Sequence, residues 1–262
     1  MRPSRLRSET LLAVSAVRAG LAIAIESVGA DPLIVKGRRD VATASDLAVE
    51  DAIRRTLGDG GDDPIVGEER GGSAPADGSS YWLIDPICGT GNFAAGVPLY
   101  CVNLAFVEGG EVVLAAVGEP SGAIDVAERG RGAWSTSDDR WSELRTSATS
   151  ETVMVEVGRA PAQRRAWAAR TLAATADADR WDLLALGSTL SLAHVAAGRS
   201  SAYVLFWGSA LHCGAGVALV REAGGIVTDL DGRPWTVASE SVVAVADEGL
   251  HRELIAIVRA TT

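Results

Sequence analysis

Lysine, cysteine and long apolar runs are scarce in this sequence, and each scarcity argues against a class of protein. Lys36 is the only lysine among 24 basic residues, and the formal net charge is −10. A nucleic-acid partner is therefore not expected, because binding to a phosphate backbone needs many basic side chains. Three cysteines, an odd and small number for 262 residues, favour a reducing, cytoplasmic compartment over a disulfide scaffold. Since no uninterrupted apolar stretch approaches 18 residues, we predict a soluble chain without a membrane span.

The residue pattern changes near position 150 and divides the chain into two predicted halves. In residues 1–150, helical spacing at 8–29 and 45–57 precedes a run of short strands with a hairpin turn at Gly109-Gly110. Residues 151–262 alternate between strand and helix patterns. We therefore predict a layered fold with an α+β half followed by an α/β half.

The stretch from Tyr81 to Phe93 has the pattern of a buried strand that runs into a loop. Its apolar part ends at Asp85, Pro86 is expected to break the strand, and Gly89 and Gly91 free the backbone just beyond. A carboxylate at such an exit is a common way to hold a metal ion or a phosphate at a sheet edge. An ordinary strand exit with a capping aspartate fits this stretch equally well.

The same stretch resembles the Asp-Pro-Ile-Asp-Gly-Thr-x-Asn-Phe signature of the inositol monophosphatase family. Residues 41–46 resemble its Val-Thr-x-x-Asp element, residues 67–69 its Gly-Glu-Glu, and residues 214–225 its helix ending in Glu-Ala-Gly-Gly. Four matches in the same order span nearly the whole chain. The resemblance implies the family's fold of alternating helix and sheet layers, a small-molecule substrate and a homodimer.

The resemblance also implies a first metal site and a pair that orients water. Carried over by position, Glu68, Asp85 and the Ile87 carbonyl match the family's first Mg²⁺ site. Thr90, with Asp46 behind it, matches the pair that orients the attacking water. All of these residue types are present, and Mg²⁺ prefers such oxygen donors.

Two positions depart from the family pattern where its second metal site lies. Cys88 and His212 each stand where the family has an aspartate, so Asp85 is the one carboxylate left there. A thiol and an imidazole suit Zn²⁺ rather than Mg²⁺. The usual two-Mg²⁺ phosphatase activity is therefore expected to be lost or strongly reduced.

Further positions are candidates for substrate contacts. Leu205 stands where the family often has an acidic residue that binds sugar hydroxyls, which favours a less polar ligand than a polyol phosphate. Lys36 is retained either through GC-rich codon usage or because an ammonium group is useful there. The candidate substrate-binding residues are Lys36, Gly89, Thr90, Gly187, Ser188 and Leu205.

The function predicted from these departures is a repurposed biosynthetic enzyme that acts on a small, less polar metabolite, phosphorylated or not. Cys88, with a lowered pKa, and His212 would form its nucleophilic or acid–base pair, supported by Glu68, Asp85, Thr90 and Asp46. A phosphomonoesterase with Mg²⁺ at Glu68 and Asp85, or Zn²⁺ at Cys88 and His212, is the first alternative. A non-catalytic binding protein is the second, and a metal-free site also remains open.

Overall fold

The computed structural model describes residues 3, 6–30, 32–37, 40–58, 63–138, 140–157 and 160–262, with the side chains of 35–37, 40 and 41 outside the description. The helices are α1 (Ser8–Ser27), α2 (Ala44–Gly58), α3 (Thr90–Ala94), α4 (Ala162–Asp177), α5 (Leu190–Ala196), α6 (Ala210–Glu222) and α7 (Glu248–Thr261). The strands of the first half are β1 (Ile34–Gly37), β2 (Asp40–Ala42), β3 (Ile65–Gly67), β4 (Tyr81–Cys88), β5 (Cys101–Glu108), β6 (Glu111–Gly118), β7 (Ile124–Glu128), β8 (Gly132–Ser137) and β9 (Arg140–Glu143). The strands of the second half are β10 (Thr152–Glu156), β11 (Asp182–Leu184), β12 (Ala202–Leu205), β13 (Ile226–Thr228) and β14 (Val242–Val245).

Two sheets carry the architecture. The larger has the order β3-β4-β5-β6-β7-β8-β9, and its strands are antiparallel except for the parallel pair β3 and β4. The smaller has the order β11-β10-β12-β14-β13 and is mixed. Strands β1 and β2 form a separate antiparallel pair. The first half thus has the long antiparallel sheet that its pattern predicted.

Three apolar clusters separate the layers. One lies between α1, α2 and the outer face of the larger sheet. A second lies between the two sheets, where α5 and α6 fill the space. The third packs α4 and α7 against the far face of the smaller sheet. Helices and sheets therefore alternate in layers, as the sequence predicted, because each sheet must bury apolar side chains on both faces. The division at residue 150 stays a prediction.

Helix α1 is long and apolar enough to cross a membrane by length and composition alone. It nevertheless buries Val14, Val17 and Leu21 in the cluster shared with α2 and the larger sheet. A core helix of a folded domain has this pattern of burial. The mean hydropathy of α1 is high, although no uninterrupted apolar run in it approaches 18 residues, because its few polar residues are spaced along the helix.

Strand β4 does not end at Asp85, which corrects the predicted boundary. It continues to Cys88, and its pairing with β5 changes register between Asp85 and Cys88. Pro86 has no N–H to donate to the ladder, and a local register shift accommodates such a residue within a strand. The irregularity lies at the end of β4, where the candidate site begins.

Candidate active site

Gly89 closes the turn between β4 and α3 in a left-handed conformation, with φ of +104°. A Cβ atom there would lie 2.8 Å from the Leu99 carbonyl oxygen and 3.0 Å from the Ser188 Cβ. Only glycine fits both the backbone angle and the space. Gly89, predicted to bind substrate, therefore has a demonstrable structural role in bringing the start of α3 against the turn before α5.

Glu68, Asp85 and His212 converge at this end of the larger sheet, and their donor atoms all lie within 4.8 Å of one another. The Glu68 N–H donates to the Ile84 carbonyl at 3.1 Å, which places Glu68 beside Asp85. His212 enters from the first turn of α6, and its Nδ1 lies 2.9 Å from Asp85 Oδ2. Asp85 Oδ1 is buried without a hydrogen-bond partner among the described residues. The arrangement leaves a carboxylate oxygen that a cation could satisfy.

The electrostatics of this group are set by two neighbouring acids, Glu68 and Asp85. Burial, and then the neighbouring charge of Asp85, raises the pKa of Glu68 to about 8, and His212 partly opposes the shift. Asp85 is 1% exposed, whereas the His212 side chain is 35% exposed. The group therefore has a solvent-facing side at His212 and two closely spaced acids at its buried side, and a bound cation would favour the ionised form of both.

The predicted water-orienting pair is also assembled. Thr43 donates to Asp46 Oδ2 through both its N–H and its hydroxyl, each at 2.7 Å. The Thr90 hydroxyl lies 3.4 Å from Asp46 Oδ1 and 3.1 Å from the Ile87 carbonyl oxygen. Burial is the largest cause that raises the pKa of Asp46 to about 6. Asp46 thus has one oxygen held rigidly and one directed to Thr90.

Cys88 differs from its prediction in both partner and acidity. Its Sγ accepts from the Thr189 hydroxyl at 2.9 Å and from the Thr189 N–H at 3.3 Å, whereas the described hydrogen bond of His212 goes to Asp85. A hydrogen bond with the Cys101 side chain, followed by burial, raises the pKa of the Cys88 thiol well above its ordinary value. The expected lowered pKa is therefore wrong, because a thiol neighbour and desolvation outweigh the two Thr189 donors.

The Zn²⁺ pair of Cys88 and His212 expected from the sequence stays a prediction. Among the described residues, the compact set of donors that includes His212 is completed by Glu68 and Asp85, and Cys88 does not belong to it. The His212 ring lies beside the carboxylate of Asp85, whereas the Cys88 thiol accepts a hydrogen bond from Thr189 at the start of α5. This partition could not be read from the aligned positions of Cys88 and His212.

The other predicted substrate residues have mixed outcomes. Ser188 donates to the Cys88 carbonyl oxygen at 2.7 Å, and the Gly187 N–H donates to Glu156 Oε1 at 2.7 Å. Both residues lie in the turn before α5, which borders the site beside Cys88. Leu205 is 5% exposed and packs in the layer between the sheets, which makes it a core residue rather than an exposed contact. The side chain of Lys36 lies outside the described residues.

Three polar residues around the turn before α5 were not among the site residues predicted from the sequence. Thr189 contacts Cys88, Glu156 holds the Gly187 turn, and Asn103 donates to the Thr189 hydroxyl at 3.0 Å and to the His212 carbonyl at 3.3 Å. Asn103 interrupts the otherwise apolar run of β5. A buried amide in such a strand needs polar partners, and this was the signal that could have revealed it.

Comparisons with known proteins show the family of this chain. The family model described as the inositol monophosphatase family matches residues 6–262. The chain is 35% identical over 246 residues to inositol-1-monophosphatase ImpA of Mycolicibacterium smegmatis, which covers 88% of this chain and 85% of that protein. It is also 35% identical over 207 residues to Nus factor SuhB of Xylella fastidiosa, covering 76% and 73%.

A solved structure supports the same assignment. The IMPase of Thermotoga maritima superposes with a TM-score of 0.84 at 26% identity and covers 97% of this chain and 98% of that one. The layered fold, the carboxylates at the end of β4 and the full-length family match all agree. This chain belongs to the inositol monophosphatase family.

Proposed function

We propose that this chain is a metal-dependent phosphomonoesterase acting on a small phosphorylated metabolite. The observation that supports it best is the convergence of Glu68, Asp85 and His212 within 4.8 Å. The Thr90–Asp46 pair beside this group, and membership in a family of phosphatases, support the same reaction class.

The three side chains are suited to one divalent cation. Asp85 Oδ1 is buried and lacks a hydrogen-bond partner in the described part of the chain, so it has lone pairs to offer. Two carboxylates with one imidazole suit Zn²⁺ or Mn²⁺ better than Mg²⁺, which prefers oxygen donors alone. When bound, the cation supplies Lewis-acid stabilisation of the phosphoryl oxygens. Mg²⁺ held by Glu68 and Asp85 is the alternative.

Thr90 and Asp46 provide a path for the proton of the attacking water. The Thr90 oxygen accepts that proton while its own hydroxyl proton passes to Asp46 Oδ1, 3.4 Å away. Because the pKa of Asp46 is about 6, its carboxylate is mostly ionised at neutral pH and ready to accept. Thr43 holds the other oxygen of Asp46, which aims Oδ1 at Thr90.

His212 is proposed to act with the cation rather than with Cys88. If Nδ1 carries the proton that Asp85 accepts at 2.9 Å, Nε2 is the ring nitrogen with a lone pair. The alternative acid–base pair of Cys88 and His212 has less support, because the pKa of the thiol is raised and its described donors are on Thr189.

The test is phosphate release by the purified full chain from inositol 1-phosphate, sugar phosphates and alkyl or aryl phosphates. Mg²⁺, Mn²⁺ and Zn²⁺ are supplied one at a time, and calorimetry measures the binding of each metal separately. We expect phosphate release from at least one of these esters, with Mn²⁺ or Zn²⁺ supporting a higher rate than Mg²⁺. The matched variant His212→Asp should shift both binding and turnover towards Mg²⁺, because it replaces the nitrogen donor with oxygen.

Two outcomes would contradict the proposal. Metal binding without phosphate release from any ester would refute hydrolysis and favour a non-catalytic binding protein. Unchanged metal preference in His212→Asp would remove His212 from the cation site. A homodimer remains an expectation from the family resemblance, and a cytoplasmic location remains one from the cysteine count. Light scattering of the purified chain would give its subunit number.

A further inference from the structure

Cys88 and Cys101 stand directly opposite each other on the antiparallel strands β4 and β5, immediately after the register shift. Directly opposed residues on such strands have Cα atoms about 4.5 or 5.5 Å apart, depending on the type of pair. A disulfide spans Cα distances of roughly 4.4–6.8 Å. The strand pairing therefore puts the two cysteines within the span of a covalent bond.

The sulfur atoms also face a common neighbour. Thr189 Oγ1 lies 2.9 Å from the Cys88 sulfur and 3.8 Å from the Cys101 sulfur. Both residues therefore lie beside the same hydroxyl at the start of α5. The side chains thus point to the same side of the ladder, which is the arrangement that a cross-strand disulfide requires.

We propose that Cys88 and Cys101 form a modification site at which a low-molecular-weight disulfide oxidises the pair to an intramolecular disulfide. Cys88 is partly exposed whereas Cys101 is buried, so Cys88 reacts first. Its sulfur attacks one sulfur of the small disulfide, and the departing thiolate takes up the proton that Cys88 loses. The Cys101 sulfur then attacks the Cys88 sulfur and expels the second small thiol, which takes up the proton of Cys101. Two protein thiols are oxidised while one small disulfide is reduced to two thiols.

Oxidation would alter the candidate active site through the end of β4. A disulfide removes the Cys88 thiol as a partner of the Thr189 hydroxyl and N–H. The backbone at this point is tied to the site on both sides, because the Cys88 carbonyl accepts from Ser188 and the Ile87 carbonyl accepts from Thr90. We therefore expect reversible loss of turnover. This loss rests on the proposed phosphomonoesterase function, whereas formation of the disulfide does not.

The experiment treats the full chain with oxidised glutathione and counts thiols after denaturation. The count should fall from three to one, and peptide mapping without reductant should join the peptides of Cys88 and Cys101. We expect the reaction to take minutes to hours, the usual range for uncatalysed disulfide exchange. Phosphate release should fall on the order of 10–100-fold, as misplacement of site atoms by about 1 Å costs, and dithiothreitol should restore it.

Two matched variants separate the steps. Cys101→Ser should stop at a glutathione adduct on Cys88, whereas Cys213→Ser should still form the cross-strand disulfide because Cys213 lies on α6. A thiol count that stays at three in the wild-type chain, or a link that involves Cys213, would overturn the modification site. A complete Cys88–Cys101 disulfide with undiminished turnover of an otherwise active enzyme would overturn its effect on the active site, leaving hydrolysis itself intact.

Discussion

Two pairs of acidic residues in this molecule share an electrostatic signature but differ in surroundings. Glu68 lies beside Asp85 at the end of β4, and Asp125 on β7 lies near Glu119. In each pair one pKa is raised to about 8, for Glu68 and for Asp125, with burial as the largest cause and the partner carboxylate as the next. A raised pKa therefore does not distinguish the candidate active site from the other pair.

The compensating groups distinguish them. Arg199 Nη1 lies 2.9 Å from both carboxylate oxygens of Glu119, so the second pair carries its own permanent cation. The first pair has His212, whose side chain is 35% exposed and whose ring nitrogens are metal ligands by nature. Structural ion-pair networks and functional sites both perturb pKa values. Here the exposed imidazole, rather than the shift itself, indicates a place for an exogenous cation.

The largest expected effect comes from neutralising Glu68, one acid of the pair at the candidate site. Glu68→Gln removes a carboxylate that would bind the cation directly. Loss of a residue that only hydrogen-bonds a metal ligand costs roughly 10–100-fold, and we expect phosphate release to fall by more than that. Calorimetry should show weaker metal binding in the same variant. Asp125→Asn is the matched control, since it neutralises the other acid whose pKa is raised. Its turnover should stay close to wild type. Equal losses in both variants would contradict the distinction drawn here.

A second test uses the pH dependence of stability at Asp125. The folded-state pKa of about 8 lies far above the ordinary value of 3.8, so the folded chain keeps a proton that the unfolded chain has released. The free energy of unfolding should therefore fall as pH rises from about 4 to about 8, and the favourable contribution is fully present only below about 4. Asp125→Asn cannot ionise, so its stability relative to wild type should rise across this window, by up to about 5 kcal/mol at roughly 1.4 kcal/mol per pH unit.

Urea unfolding at pH 5 and pH 8 measures this difference. Asp138→Asn is the matched control, because Asp138 is 86% exposed and its left-handed backbone conformation tolerates asparagine. The control should leave the pH dependence unchanged. If Asp125→Asn also leaves it unchanged, the acid on β7 titrates normally and the comparison of the two pairs fails.

The smallest expected effect concerns the thiol at the edge of the site. Cys88→Ala removes a group whose pKa is raised and which accepts hydrogen bonds from Thr189, so we expect turnover to change by less than about threefold, that is by less than about 0.7 kcal/mol in barrier. Steady-state kinetics with the best ester of the panel measures it. Loss of all turnover, together with loss in His212→Ala, would restore the Cys88–His212 pair as the catalytic unit.

Much of the fold was predictable from local pattern. The apolar spacing of α1 and the Gly109-Gly110 turn between β5 and β6 were identified near their observed positions, because both depend on residues close in the chain. The boundary of β4 was missed, since a proline usually ends a strand and the tolerance of Pro86 depends on how β5 pairs with it. Strand β9 was missed as well, because its residues are mostly polar and form a strand through pairing with β8.

The sequence by itself determined the family, the layered fold and the residue types available at the site, because ordered motifs and apolar periodicity are local properties. Only the tertiary structure decided which partners those residues have. His212 lies with Asp85, Cys88 with Thr189 and Cys101, and Asp125 near Glu119. The acidity of the Cys88 thiol followed from those partners and from burial, and it came out opposite to the expectation. Desolvation and contacts between residues up to 127 positions apart depend on packing, which residue spacing does not encode.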